Sequence, residues 1–172
     1  SLCAFLVSIS LFAQPSTFEE KVLDAGVVIL RQNSLDYIRP ICSGTIVNTI
    51  SENTFLILTA KHCVAGENID GGWLLNKEPL FVSKEVESKI WPAVVQWIDE
   101  EEDVAFLQAE IQEPISVIEI QTKPPASFDS VLIVGVPSHY MKLLLRGHIS
   151  SNIVSMSYLP SAFVIQTANM YI

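Results

Sequence analysis

Apolar positions along this chain come in short runs broken by polar turns, and no window holds an apolar stripe at helical spacing over three turns. Val27-Val28-Ile29-Leu30 is short and β-branched and reads as a strand. Ile41 to Asn48 and Thr54 to Thr59 flank the polar stretch Thr49-Ile50-Ser51-Glu52-Asn53, the pattern of a hairpin. Between Thr54 and Thr59, Phe55, Ile57 and Thr59 alternate with the apolar Leu56 and Leu58. Both faces of that strand therefore expect cover, as in a packed barrel or sandwich. Ala60 to Ala65 reads as a tight turn or one-turn helix ending at Gly66, and Glu67 to Gly72 as a loop. Trp73-Leu74-Leu75, Leu80 to Ile90, Ala93 to Ile98 and Val104 to Leu107 read as further strands, and the charged Phe18 to Ala25 as a short lead-in helix or turn.

Texture changes after Glu110. Pro114, Pro124 and Pro125 break a weakly periodic stretch that predicts a linker over 113–129 between a first body over 14–112 and a second over 130–172. Ser130 to Val136, Lys142 to Ser150, Ile153 to Met156 and Ala162 to Thr167 resume the strand pattern. About six strands before the linker and four after it predict an all-β protein in two units. The second unit is short of strands and stops in mid-pattern at Tyr171-Ile172, so the chain is expected to be a C-terminally truncated fragment.

Residues 1–13 carry no charge and are apolar or small, and Gln14-Pro15-Ser16 ends the run. This predicts the remnant of a signal peptide, although Leu11 fits the small-residue cleavage rule poorly. A buried first strand is the competing reading. The run is too short to span a bilayer. Export to a secreted or periplasmic location would leave Cys42 and Cys63, as one disulfide or as two buried thiols.

With 49% hydrophobic and 17% charged residues, the 172-residue chain is globular in composition. Its formal net charge of -9, concentrated in Asp99-Glu100-Glu101-Glu102-Asp103, disfavours nucleic acid and anionic lipid as partners. The sequence contains no C-x-x-C or H-E-x-x-H, and no metal or other cofactor is expected.

Two short segments carry chemistry. In the first, Cys42-Ser43-Gly44-Thr45 is followed by Leu58-Thr59-Ala60-Lys61-His62-Cys63-Val64, a strand running into a turn that presents one histidine beside a cysteine. An imidazole fixed there could serve as a general base. In the second, Glu102-Asp103-Val104-Ala105-Phe106-Leu107, an aspartate stands at the mouth of an apolar strand. A carboxylate so placed can orient an imidazole and stabilise its charged form, and Asp103 is preferred to its acidic neighbours because it alone adjoins the apolar run.

Together these segments resemble the chymotrypsin-like (trypsin-fold) serine proteases. T-A-K-H-C is similar to that family's T-A-A-H-C, and Asp103 to Leu107 to its D-[IV]-A-[LV]-[LV]. The resemblance implies a double six-stranded β-barrel, here with the second barrel incomplete. It implies a Cys42–Cys63 disulfide, His62 as general base and Asp103 as its orienter, acting on protein or peptide substrates. Val134-Gly135-Val136-Pro137, Gly147-His148-Ile149-Ser150 and Ile165-Gln166-Thr167-Ala168-Asn169 resemble second-barrel segments, the last of the bacterial and HtrA-like branch. In that branch the nucleophilic serine follows closely, which puts it beyond Ile172. Ser43, Ser138, Ser150, Ser151, Ser155, Ser157 and Ser161 lack a glycine-rich elbow and are not assigned the role. His139 and His148 read as surface or turn residues, with His148 an alternative lining of the cleft. Ala25-Gly26-Val27-Val28 lacks the Ile-Val-Gly-Gly form, so no activation through a new amino terminus is expected. Rival readings are a catalytically inactive protease-like binding module and an unrelated secreted β-sandwich.

Overall fold

The computed structural model describes residues 17–67, 72–85, 88–99, 101–123, 125–136, 142–156 and 159–171, with side chains up to Ile149. Helix α1 spans Phe18–Ala25. It begins in a capping box: the Glu20 main-chain N–H donates to Thr17 Oγ1, and the Thr17 N–H donates to the Glu20 carboxylate. Those bonds satisfy amides that the first helical turn leaves without partners, and Glu19 and Glu20 suit the positive end of the helix.

Eleven strands follow among the described residues: β1 Gly26–Gln32, β2 Ile38–Ser51, β3 Thr54–Thr59, β4 Ala65–Glu67, β5 Trp73–Leu75, β6 Leu80–Ser83, β7 Ile90–Ile98, β8 Ala105–Glu110, β9 Ser130–Gly135, β10 Leu143–Met156 and β11 Leu159–Tyr171. Six of them close into one antiparallel barrel in the order β1-β2-β3-β8-β7-β6. β11-β10-β9 forms a three-stranded sheet that does not close, and β4-β5 a two-stranded excursion between β3 and β6. The protein is thus all-β, with one complete barrel and two smaller sheets.

Alternation explains the barrel. On β3, Phe55, Ile57 and Thr59 are buried while Leu56 and Leu58 are half-buried, and Ile57 pairs with the buried Leu107 of β8. Val27, Ile29, Ile46 and Val82 complete the same core. Gly44 is needed where β2 meets β3. A Cβ there would lie 2.7 Å from Ile57 Cγ2 and 3.1 Å from the Leu58 carbonyl oxygen.

Two strand boundaries differ from the sequence pattern. Leu80 to Ile90 is interrupted after Ser83, because Ser83 Oγ and Ser88 Oγ both donate to the Glu85 carbonyl and the Glu85 N–H donates to Ser88 Oγ. Side-chain hydroxyls thereby take the Glu85 backbone out of the ladder. The three short strands expected after residue 142 are two long ones, paired across register shifts between Ile149/Ser151, Ser151/Val154 and Val154/Met156. The polar interruption is absorbed as bulges.

The proline-bearing stretch after β8 lies along the barrel. The Ile111 N–H donates to the Asn53 carbonyl and the Ile118 N–H to the Ile46 carbonyl, while Ile115 and Val117 pack on the core. Helix α1 ties this stretch, the barrel and the second sheet together. Asp24 Oδ1 is 2.6 Å from Lys84 Nζ, and its Oδ2 accepts the Ser116 N–H at 2.6 Å. Lys84 Nζ also donates to the Pro114 carbonyl. From the second sheet's side, Lys142 Nζ donates to the Leu23 carbonyl at 3.0 Å, and Arg146 pairs with Glu19 at 2.6 Å. Burial holds the Lys142 ammonium below its ordinary pKa, against the opposing pull of the Glu85 carboxylate. Val28, Leu30 and Val136 form an apolar cluster across the same junction.

Candidate active site

β3 runs into a single 3-10 turn, Lys61–Cys63, closed by Cys63 N–H to the Ala60 carbonyl and Val64 N–H to the Lys61 carbonyl. His62 stands on this turn with its side chain 62% exposed. Two restraints fix the turn. A disulfide joins Cys63 to Cys42 of β2, with the two Cα atoms 6.0 Å apart. Arg31 of β1 reaches over and donates from Nη2 to the Cys63 carbonyl at 2.6 Å, its Nε facing Glu78 at 3.6 Å. Lys61, next in sequence to His62, is buried with its ammonium 4.4 Å from the centre of the Trp73 ring.

Asp103 comes from the loop before β8. The neighbouring acidic residues fold back on themselves, since the Asp99 carboxylate accepts the N–H groups of Glu101 and Glu102, both at 2.8 Å. Those two bonds hold Asp99 below the ordinary carboxylate pKa. Asp103 instead faces the histidine and grips it at two points. Its Oδ1 accepts the His62 main-chain N–H at 2.9 Å, and its Oδ2 lies 2.6 Å from Nδ1. An ionised carboxylate only accepts, so Nδ1 carries the proton and Nε2 is the free ring nitrogen. Desolvation is the largest single influence on Asp103 and pushes its pKa up. The main-chain and ring hydrogen bonds from His62, with the charges of His62 and Lys61, outweigh it and hold the group below its ordinary value.

A cleft of about 430 Å³ opens beside the ring. One wall is Ile41, Cys42, Ser43, Ala60, His62 and Cys63 of the barrel; the other is Ile133, Gly135 and Val136 with Leu143 and Leu145 of β10. The histidine of a hydrogen-bonded histidine–carboxylate pair thus lines an apolar cleft between two β-sheets. A family model for the trypsin-like peptidase domain matches residues 42–169.

The chain belongs to the trypsin-like peptidase domain family. Among solved structures it is similar to a serine endoprotease from Yersinia pestis, with a TM-score of 0.57 and 20% sequence identity. The likeness covers 90% of this chain and 55% of that one. At that identity it speaks to the fold. No curated protein matches the chain in sequence.

In this trypsin-like domain the other candidates fall apart from the histidine–aspartate pair. Ser43 lines the cleft but shows no hydrogen bond to the His62 ring. Ser138, His139 and Ser157 lie outside the described residues, as do the side chains of Ser150, Ser151, Ser155 and Ser161. His148 is half-buried on β10, opposite Ser130 of β9, and is not among the residues that line the cleft. Segment 1–13, read from sequence as a leader, also lies outside the described residues. Among the described residues no helix is long and apolar enough to cross a membrane. The sulfurs of Cys42 and Cys63 and a ring nitrogen of His62 lie within 4.8 Å of one another. While bonded to each other, the two sulfurs are not thiolate donors.

No local pattern marks Arg31 as part of this site. It lies near the end of the apolar strand β1, and the carbonyl it holds is 32 residues away.

Proposed function

We propose that this chain supplies the base half of a serine endopeptidase site, and that by itself it binds peptide in the cleft without cleaving it. In a protein that also carries the nucleophilic serine, its hydroxyl attacks the peptide carbonyl. His62 Nε2 takes the hydroxyl proton and delivers it to the departing amine, and water then releases the acyl group by the same route. Asp103 holds the Nδ1–H tautomer and balances the charge that the ring acquires. The observation that carries this reading is the two-point grip of Asp103 on His62, at 2.9 and 2.6 Å. A carboxylate held below its ordinary pKa stays ionised through neutral pH, as that role requires. The substrate is a protein or peptide, no cofactor enters the mechanism, and the location is secreted or periplasmic.

The binding half of the reading rests on the apolar cleft of about 430 Å³ between the barrel and the second sheet, which His62 lines. The 172-residue chain treated with an acylating active-site probe should show no stoichiometric burst, and a burst would refute the assignment of its nucleophile elsewhere. In a protein that carries both this chain and the serine, His62→Ala should abolish peptide cleavage, and an undiminished rate would sink the endopeptidase reading. A residue other than serine or cysteine at the nucleophile position would make the whole protein a binding module.

A further inference from the structure

The cleft beside His62 holds a second set of potential ligands. Cys42 and Cys63 both line it. Their sulfurs and a ring nitrogen of His62 are mutually within 4.8 Å. A tetrahedral zinc site with Zn–S near 2.3 Å and Zn–N near 2.0–2.1 Å spaces its donor atoms roughly 3.5–3.8 Å apart. Once the S–S bond is broken, rotation of the two cysteine side chains can part the sulfurs to that spacing, because their Cα atoms are 6.0 Å apart, and a His62 ring nitrogen already lies within 4.8 Å of both. We propose that reduction of the Cys42–Cys63 disulfide converts this corner into a zinc site of two thiolates and the His62 imidazole, so that the chain carries a thiol-gated metal switch on its own base.

The chemistry balances with a dithiol reductant. Its thiolate attacks Sγ of the half-buried Cys42, and the buried Cys63 leaves as thiolate. The second thiol of the reductant closes on the mixed disulfide and departs as a cyclic disulfide, leaving two protein thiols. Zinc then replaces the two thiol protons. Asp103 already engages Nδ1, which leaves Nε2 for the metal. A carboxylate on the far nitrogen is the usual outer partner of a zinc-bound histidine and raises its basicity. The fourth position faces the cleft. Nε2 is also the atom that the endopeptidase reading uses as base, so metal and proton compete for it. The metal site itself does not depend on that reading, and its test reads metal rather than cleavage.

The test uses the 172-residue chain, folded oxidised and then reduced under argon, in a Cys3→Ser background so that two cysteines remain. Cobalt(II) serves as the spectroscopic probe and zinc as the retained ion. Reduced chain should hold about one metal ion after desalting and show a thiolate-to-cobalt charge-transfer band, while oxidised chain holds none. Asp103→Asn should weaken the reduced site about 10- to 100-fold, and His62→Ala should weaken it at least as much. Near-ultraviolet dichroism of the buried Trp91 reports whether the zinc-loaded barrel is folded. Metal bound equally by oxidised chain, affinity unmoved by His62→Ala, no charge-transfer band, or a zinc-loaded reduced chain without Trp91 packing would each overturn the proposal.

Discussion

Asp24 is the joint where α1, the β6–β7 connection and the chain after β8 meet, and Asp24→Asn tests how much that joint contributes. The carboxylate accepts one bond from the Lys84 ammonium and one from the Ser116 N–H, both at 2.6 Å. Its side chain is 20% exposed and that of Lys84 24%. Asparagine keeps the shape and one acceptor oxygen, which can serve Ser116. It turns an amide NH2 toward the ammonium and leaves Lys84 with the Pro114 carbonyl. The loss is one charge-assisted bond between partly buried groups, about 1.5–3 kcal/mol, or a fall in Tm of roughly 4–10 °C for a chain of this size.

The pH dependence carries a sign. Burial is the largest influence on Asp24 and raises its pKa, but the bonds from Lys84 and Ser116 together bring it below the ordinary 3.8. A carboxylate depressed in the folded state stabilises fully above its unfolded pKa and stops doing so as pH falls through the folded one. Asparagine does not titrate. The gap between the parent and Asp24→Asn should therefore be constant near neutrality and narrow below about pH 4. Urea midpoints at pH 7 and pH 3, at fixed ionic strength, measure both. A difference under about 0.5 kcal/mol at pH 7, or one that widens on acidification, would refute the joint.

Three further outcomes follow from named contacts. Gly44→Ala drives a methyl group to 2.7 Å from the fully buried Ile57 and should cost about 1–3 kcal/mol in chemical denaturation; a neutral result would mean that β2 and β3 are not so close. Arg31→Met removes the cation from the Cys63 carbonyl and should destabilise the barrel by about 1.5–3 kcal/mol, whereas an unchanged urea midpoint would show that the turn needs no such support. On the proposed function, Asp103→Asn should lower peptide cleavage by a protein carrying the serine about ten-thousand-fold, with little loss of melting temperature because both partners are more than half exposed. Cleavage that survives this substitution would remove the aspartate from the mechanism.

The strands of the barrel are legible in the sequence because burial there obeys a period of two: Phe55, Ile57 and Thr59 point inward on β3, and Ala105, Leu107 and Ala109 do so on β8. The histidine turn is legible because a short motif marks it. The choice of Asp103 among five acidic positions rests on adjacency to Val104; in the loop the Asp99 carboxylate is taken up by the N–H groups of Glu101 and Glu102. What could not be read are bonds between distant parts of the chain. Asp24 meets Ser116 across 92 residues, Lys142 meets Leu23 across 119, and Arg146 meets Glu19 across 127. No local pattern announces such pairs. The stop after Ser83 was hidden for the opposite reason: two serine hydroxyls decide it, and serine is unremarkable at either position.

These contacts divide the labour of the site. His62 is fixed by the disulfide to β2, by Arg31 of β1 and by Asp103 before β8, all within the barrel. The second sheet contributes the opposite wall of the cleft, through Ile133, Gly135, Val136, Leu143 and Leu145. Orientation of the imidazole is thus a property of one unit, and enclosure of it a property of two. With the cleft open, the pair is more than half exposed and sits in a high-dielectric surrounding, where a contact between unit charges at about 4 Å is worth about 1 kcal/mol in bulk water and several times more where water is excluded. A peptide lying between the apolar walls would expel that water and strengthen the pair it covers. On the proposed reading, a bound peptide and the second sheet would together complete the electrostatics of a site whose geometry is set within the first barrel.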